Sequence, residues 1–400
     1  MARFPFSISL RAVAAAAALV CIPVAQAEPL SLTASHTVAR DSNFARTETP
    51  ISDTINTTAL QLDLDKQYGR QTYTGMAKVA AVRFNNYGDL LNNDEKDLAL
   101  GFSTELMSNW RVMLNGAYGE DLNQFENNRI TNHLVKNVRT TKSALAQVVY
   151  GVSGIWAVVG SAGKNTLGYS APEYSVLEYR QDSQGLKAIY YTSDLLSYNL
   201  GVRKVETQFP GQNDRVHETD LDLGADWVIT GLSKLGATIS WTKNRRDLQK
   251  DRHFDGFTGR LNWNYTPHGL MSYGISAYKT SNTDQYVVEN GLLTALNIPG
   301  QVSFNNRVTS VSAFARWDAT AKLALTASTT WSHYNVDNDY IFSTTRDASD
   351  YHLYSMSAHY AVERWLKLSA GVSSYSQTKD ATRNKYSGHT VNVSASFILD

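Results

Sequence analysis

The chain has 400 residues, and its 37 basic side chains are balanced by 37 acidic ones, so the formal net charge is zero. This balance argues against a nucleic-acid-binding protein and against attachment to membranes through a polybasic segment. The 22 tyrosines and 8 tryptophans, with many Ser, Thr and Asn residues, favour strands and turns over membrane-spanning helices.

Residues 1–27 are predicted to be a secretory signal peptide. Arg3 and Arg11 lie in its basic leading part, an apolar run follows over residues 12–20, and the segment ends with Ala-Gln-Ala. Signal peptidase cleaves after this small-x-small pattern, and the apolar run is too short to span a bilayer. Cys21, the one cysteine of the chain, belongs to the leader, so we expect no disulfide bond in the exported protein.

The rest of the chain, residues 28–400, repeats one unit without a composition break, which indicates a single domain. Each unit is a strand, a tight turn, a second strand and a longer polar loop, such as residues 42–51 or 335–349. Short turns at one end and long loops at the other are typical of outer-membrane barrels. Tight turns are predicted at residues 67–70, 107–110, 152–155, 192–195, 229–234, 266–269, 318–322 and 361–365.

The segment count predicts an all-β, transmembrane, antiparallel outer-membrane β-barrel of about 18 strands. Sixteen or twenty strands stay open, because residues 137–208 and 284–307 are hard to divide. Bacterial single-chain barrels have an even number of strands, which agrees with all three counts.

The alternation of side chains indicates what each face of the sheet contacts. In "AKLALTASTTW" (321–331), Leu323, Leu325 and Trp331 share one parity while Thr326, Ser328 and Thr330 share the other. The polar parity carries charged residues in several segments, and a dry core could not hold these unpaired. We therefore predict lipid outside and water inside, with these residues lining the lumen: Arg111, Arg203, Arg260, Arg316, Lys367, Asp222 and Asp226. Mutual pairing that only stiffens the barrel is an equally open alternative.

Tryptophan placement supports a membrane barrel. Six of the 8 tryptophans lie beside the predicted tight turns: Trp110, Trp156, Trp227, Trp263, Trp317 and Trp365. Indole rings collect at membrane–water boundaries, so these six predict a periplasmic aromatic girdle.

Basic residues cluster in "TKNRRDLQKDRH" (242–253), which is predicted to be an extracellular loop with Arg245, Arg246, Lys250 and Arg252. This loop would contact anionic lipopolysaccharide or an anionic polymer that leaves the pore. A solvated loop, neutralised by its own Asp247 and Asp251, is the alternative that we favour.

Signals for catalysis or cofactors are weak. "GSAGKNT" (160–166) resembles a phosphate-binding loop, but Val158 occupies the position where a glycine is required. The nine histidines show no metal-ligand spacing. His217 and His333 have Glu and Ser neighbours, which leaves an outer-membrane hydrolase as a minor alternative. We expect no cofactor and no enzymatic activity.

The chain resembles the β-barrel porin family of exopolysaccharide biosynthesis operons, the EpsL-type outer-membrane proteins associated with exosortase (PEP-CTERM) systems. The likeness begins at "TVARDSNFAR" and is found in residues 37–46, 52–102, 110–127, 137–163, 233–279 and 319–337. It covers nearly the whole exported chain through strand and turn patterns, without a catalytic signature.

This resemblance implies a pore that exports an exopolysaccharide chain across the outer membrane of a Gram-negative cell. Outer-membrane lipid and lipopolysaccharide, the barrel assembly machinery and periplasmic polysaccharide export proteins are the expected partners. A general or solute-selective diffusion porin, without a polymer partner, is the alternative that the residues leave open.

Overall fold

A computed structural model describes residues 30–123, 134–248, 253–267, 269–281, 306–340, 343–379 and 385–399. Eighteen antiparallel strands form one sheet, and the last strand pairs with the first, so the sheet closes into a barrel. The prediction of an 18-stranded antiparallel barrel is confirmed. The predicted signal peptide lies outside the described residues.

The strands follow one another around the barrel in sequence order. Their bounds are β1 Leu30–Asp41, β2 Asp53–Tyr68, β3 Gln71–Phe84, β4 Asn93–Leu106, β5 Trp110–Leu122, β6 Val138–Tyr150, β7 Trp156–Tyr169, β8 Tyr179–Ser193, β9 Leu196–Phe209, β10 Asp214–Thr230, β11 Ser233–Arg246, β12 Phe254–Tyr265, β13 Met271–Thr280, β14 Asn306–Asp318, β15 Leu323–Tyr340, β16 Ser343–Glu363, β17 Leu366–Gln377 and β18 Tyr386–Leu399. Closure comes from the pairing of β1 with β18, in a register that sets Leu32 opposite Leu399 and Asp41 opposite Thr390.

Each predicted tight turn joins two neighbouring strands at the same end of the barrel. The hairpin of β2 and β3 has a two-residue loop in which Gly69 adopts a positive φ of 59°. Two-residue hairpins need this left-handed conformation, which glycine adopts without steric cost. Local turn chemistry therefore sets where these strands end.

At the opposite end, one predicted loop is largely strand. Residues 335–349, predicted to be a loop, belong largely to β15 and β16, whose pairing continues as far as Tyr340 and Ser343. Polar composition indicated a loop there, but the hydrogen bonds of a strand pair are formed by the backbone, so polar residues can continue the pairing.

Short helices lie in three of the long connections. They are α1 (Gly88–Leu91) and two 3₁₀ turns at Pro172–Leu177 and Pro210–Gln212. Among the described residues, no helix has the length and apolar character needed to cross a membrane.

The two faces of the sheet have opposite character. On β10, Leu221 and Leu223 leave 52% and 61% of their surfaces exposed, whereas their neighbour Asp220 is fully buried. Exposed apolar side chains recur at alternate positions of the strands around the whole barrel. They face outward, as lipid contact requires. The polar parity faces the interior.

Candidate pore interior

The structure places all seven predicted lumen residues on the inner face of the barrel. Arg203, Asp222 and Arg260 lie at mid-height, on β9, β10 and β12. The others lie near the tight-turn end of the barrel: Arg111, Arg316, Lys367 and Asp226.

Buried charges concentrate on the inner face of β9–β12, which we call the charged wall. The Arg203 guanidinium lies 2.9 Å from the Asp220 carboxylate, to which the Thr242 hydroxyl also donates a hydrogen bond at 2.5 Å. Next to them, the Ser240 hydroxyl donates to Asp222 at 2.6 Å. Above them, the Glu218 carboxylate accepts hydrogen bonds from Asn244 (3.2 Å) and Ser281 (2.9 Å). The wall is a cross-strand network in which each carboxylate has donors.

A second buried ion pair lies higher on the same wall. The Arg246 guanidinium is 3.2 Å from the Asp214 carboxylate, and the two side chains are 2% and 1% exposed. Asp214 also accepts the backbone N–H groups of Arg215 and Leu248. This pair ties β10 to the end of β11.

The prediction of one extracellular basic loop is wrong in its boundaries. β11 continues through Arg246, so Arg245 and Arg246 are neighbours in a strand and project to opposite faces. Arg245 is exposed outside the barrel and contacts His253 at 2.9 Å, whereas Arg246 is buried inside. Lys250 and Arg252 lie outside the described residues.

Above its tight-turn end, the inner face of β13–β18 differs, and we call this part the hydroxyl wall. Hydroxyl groups pair across strands there: Ser310 with Ser332 at 2.8 Å, and Ser312 with Thr330 at 3.0 Å. Each hydroxyl can donate or accept, so the pairs do not fix a single orientation. Buried side chains of this wall include Ser276, Ser310, Ser312, Ser332 and Ser349.

The loop between β1 and β2 folds into the long-loop end of the barrel. Phe44 and Ala45 are buried against Val82, Phe84 and Leu91, and the Phe44 ring lies 5.4 Å from that of Phe84. Because Val82 and Phe84 belong to the inner face of β3, this apolar cluster narrows the mouth from within.

Polar contacts hold the same loop to β17 and β18, which follow β1 at the closure of the barrel. The Tyr375 hydroxyl donates to Asp41, and the Arg46 guanidinium lies 3.6 Å from the centre of the Tyr375 ring and 3.2 Å from Asp41. Gly388 gives the tyrosine room, since a Cβ there would lie 2.2 Å from the Tyr375 hydroxyl. The Asn43 amide donates to the Ser387 carbonyl at 3.0 Å. The first part of the loop is thereby fixed to β17 and β18.

A second apolar cluster faces the interior across β7–β10. It consists of Leu167, Tyr179, Phe209 and Val216, with Tyr169 packed against it. The Arg246 guanidinium lies 5.8 Å from the Phe209 ring, so this cluster joins the charged wall. Sequence analysis missed both mouth clusters, although the inward parity of their strand residues is visible in the sequence.

The charges at the tight-turn end are more exposed. Arg111 forms an ion pair with Glu105, and Arg316 contacts Asp318 at 2.8 Å with half of each side chain exposed. Lys367 and Asp226 are exposed on the inner face. Water therefore screens these charges more than those of the charged wall.

The six predicted girdle tryptophans lie at the tight-turn end. The Trp110 ring lies 4.7 Å from that of Tyr150 and the Trp156 ring 4.4 Å from that of Tyr190, both tilted, which adds tyrosines to the girdle. The Trp263 indole N–H donates to Ser233 at 2.9 Å. The remaining members are partly exposed on the outer face or in a turn: Trp227, Trp317 and Trp365. Trp241 and Trp331 lie nearer the long-loop end, on the outward parity.

The histidines and the glycine-rich segment considered in the sequence analysis do not come together in a catalytic site. His333 faces outward and contacts Asp350 at 2.9 Å, while its neighbour Ser332 is buried on the inner face. His217 and Glu218 likewise point to opposite faces. The segment at residues 160–166 lies within β7. Within the described ranges, no group of three or more His, Cys, Asp or Glu residues could hold a metal ion.

No protein-family model matches this chain, and no curated protein matches it either. Among solved structures, it is similar to Pseudomonas aeruginosa OpdO, with a TM-score of 0.52, 10% identity and coverage of 93% of this chain and 97% of that chain. P. aeruginosa OccK2 (OpdF) gives a TM-score of 0.50 at 15% identity, over 92% and 97% of the two chains. A BenF-like porin from Pseudomonas fluorescens Pf-5 gives 0.49 at 13% identity, over 93% and 98%. At these identities the first two show a shared fold alone, and that fold, with the apolar outer face, supports a location in the outer membrane.

Proposed function

We propose that the chain is a selective pore through which small hydrophilic solutes diffuse across the outer membrane. The observation that carries this proposal is a closed 18-stranded barrel whose exposed outer face is apolar and whose inner face is polar. Barrels of about this strand number have room for an aqueous channel, whereas eight strands leave space only for side chains.

Burial on the inner face favours a narrow passage over a wide one. Inner side chains of an open channel would contact water, but Asp220, Thr242 and Ser349 have no exposed surface. Close packing of side chains therefore leaves these parts of both walls without exposed surface, and the loop of Phe44 narrows the mouth. A solute in such a passage would contact charges on one side and hydroxyl groups on the other, which is a basis for selection.

Reconstitution tests this proposal. The purified barrel in a planar bilayer should give discrete conductance steps in KCl, and vesicles that contain it should swell in small sugars but not in large oligosaccharides. Folding is checked in parallel by the shift of the unboiled band on a gel. A folded barrel that conducts no ions and admits no solute would contradict a pore.

A conduit for exopolysaccharide is the second candidate. The sequence resemblance supports it, and so does the hydroxyl wall, which can exchange hydrogen bonds with a hydrated glycan. Deletion of the gene separates the two candidates, since loss of surface polysaccharide is expected of a conduit and not of a nutrient pore. Co-purification of periplasmic export proteins would support the conduit as well.

An outer-membrane hydrolase is the least supported alternative. His217 and His333 point outward, whereas their sequence neighbours Glu218 and Ser332 point inward. Neither histidine can therefore act on the neighbouring side chain. Failure of a mechanism-based serine probe to label the folded barrel is the expected result.

A further inference from the structure

A row of polar residues crosses the outer face of the barrel toward the long-loop end. By strand register, Lys204 on β9 lies opposite Thr219 on β10, which lies opposite Lys243 on β11. All three side chains are exposed. Two strand spacings separate the lysines, roughly 10 Å between backbones, and their flexible side chains can reach one group between them.

An apolar row lies directly below. Val202, Leu221, Trp241 and Phe257 follow one another in the register and are 46%, 52%, 45% and 59% exposed. Trp241 packs edge-on against Phe257, with ring centres 4.8 Å apart. The Trp241 indole, with an apolar body and one N–H donor, favours the boundary between acyl chains and headgroups. The lysines therefore project at headgroup level.

Three of the four acidic residues around this row have other partners. Glu206 lies 3.8 Å from Arg215, Asp247 lies 3.6 Å from His217, and Asp182 lies 3.7 Å from Lys164. Asp255 is opposite Lys243 in the register. Neither Lys204 nor Lys243 forms an ion pair or hydrogen bond with another of the described residues.

The far side of the barrel differs. On β3 and β4 the outward cations at similar positions are neutralised, since Lys96 contacts Glu120 at 3.1 Å and Arg83 contacts Asp94 at 2.6 Å. Two available ammonium groups beside a hydroxyl, above exposed apolar rings, match an amphiphile with an anionic head.

We propose that Lys204, Thr219 and Lys243 bind a phosphate group of a phosphorylated glycolipid of the outer leaflet, with its acyl chains on Trp241 and Phe257. The ammonium groups and the threonine hydroxyl donate charge-assisted hydrogen bonds to the phosphate oxygens. This site lies outside the barrel and does not depend on what passes through the interior.

The test uses the full-length barrel in detergent with purified lipid A, measured by native mass spectrometry. Lys204→Gln/Lys243→Gln should retain lipid A at least about tenfold less than the unaltered protein, which corresponds to about 1.4 kcal/mol. Lys96→Gln is the matched control on the far side and should change retention little. Asp255→Asn should raise retention, because it removes the negative charge beside Lys243.

Equal retention by the double variant and the unaltered protein would overturn the site, as would an equal loss in Lys96→Gln. A de-phosphorylated lipid A should be retained as weakly by the unaltered protein as lipid A is by the double variant. Inorganic phosphate at the same concentration should not displace lipid A, and displacement would mean that the row binds free phosphate instead. Unchanged gel mobility of the unboiled variants verifies that they fold.

Discussion

The charged wall and the hydroxyl wall line the same barrel, but they satisfy buried polar groups in different ways. On the charged wall, carboxylates such as Asp214 and Asp220 are held by specific cations, at 3.2 Å and 2.9 Å. On the hydroxyl wall, Ser310 and Ser332 are neutral, and either can be the donor. A buried charge that loses its partner is costly, whereas an uncharged hydroxyl can exchange partners. The charged wall is thus suited to fixed recognition and the hydroxyl wall to adaptable contact.

The largest difference between the walls should appear when one cation is removed. Arg246→Met leaves the Asp214 carboxylate buried without its guanidinium, and we expect a loss of roughly 3–5 kcal/mol in the free energy of unfolding. Urea unfolding of the barrel in lipid vesicles measures this loss.

Arg316→Met is the matched control, because its partner Asp318 is half exposed and water can replace the guanidinium. The control should change the unfolding free energy by no more than about 1 kcal/mol. Similar losses in the two variants would show that the buried Arg246–Asp214 pair contributes no more stability than the exposed Arg316–Asp318 pair. The charged wall would then tolerate substitution.

A smaller effect on stability, with a larger one on ion selectivity, is expected at Asp220. Asp220→Asn keeps the shape and can still accept the Thr242 hydroxyl, but it leaves the charge of Arg203 without its counter-charge. We expect a loss of about 1.5–3 kcal/mol from the charged hydrogen bonds. The reversal potential in a KCl gradient should shift toward anion selectivity.

Ser312→Ala on the hydroxyl wall is the comparison for selectivity, since it removes a hydroxyl at a similarly buried position without changing charge. Its reversal potential should equal that of the unaltered pore. If both variants shift the potential alike, then the charges of the charged wall do not control which ions pass.

Much of the fold could be predicted because its determinants are local. Alternation with a period of two assigned Leu221 outward and Asp222 inward, and turn chemistry such as that of Gly69 located the hairpins. The outward orientation of Trp241 and Trp331 could also be predicted, because each occupies the same alternate positions as apolar residues of its strand.

The interior could be predicted only in part, because its contacts depend on register and loop folding. Arg203 was a lumen-facing candidate but its partner Asp220 was not, because only the pairing of β9 with β10 sets the two opposite one another. The burial of Phe44 requires that a polar-looking loop turn inward. Whether Arg245 and Arg246 lie in a loop or on opposite faces of a strand depends on how far β11 extends. Composition alone does not determine that boundary.

The smallest effect should come from the hydroxyl wall itself, where a double-mutant cycle measures how strongly two neutral groups are coupled. Ser310→Ala and Ser332→Ala should each cost about 1 kcal/mol, because a net hydrogen bond contributes about that much. The Ser310 hydroxyl can instead donate to the Trp331 carbonyl, 3.1 Å away, so it retains an alternative partner when Ser332 is removed. The coupling energy should therefore lie near about 0.5 kcal/mol, at the low end for contacting residues. Urea unfolding of the two single variants and the double variant measures it. A coupling of several kcal/mol would mean that this pair is as rigid as Asp214 with Arg246, and the distinction between the walls would not hold.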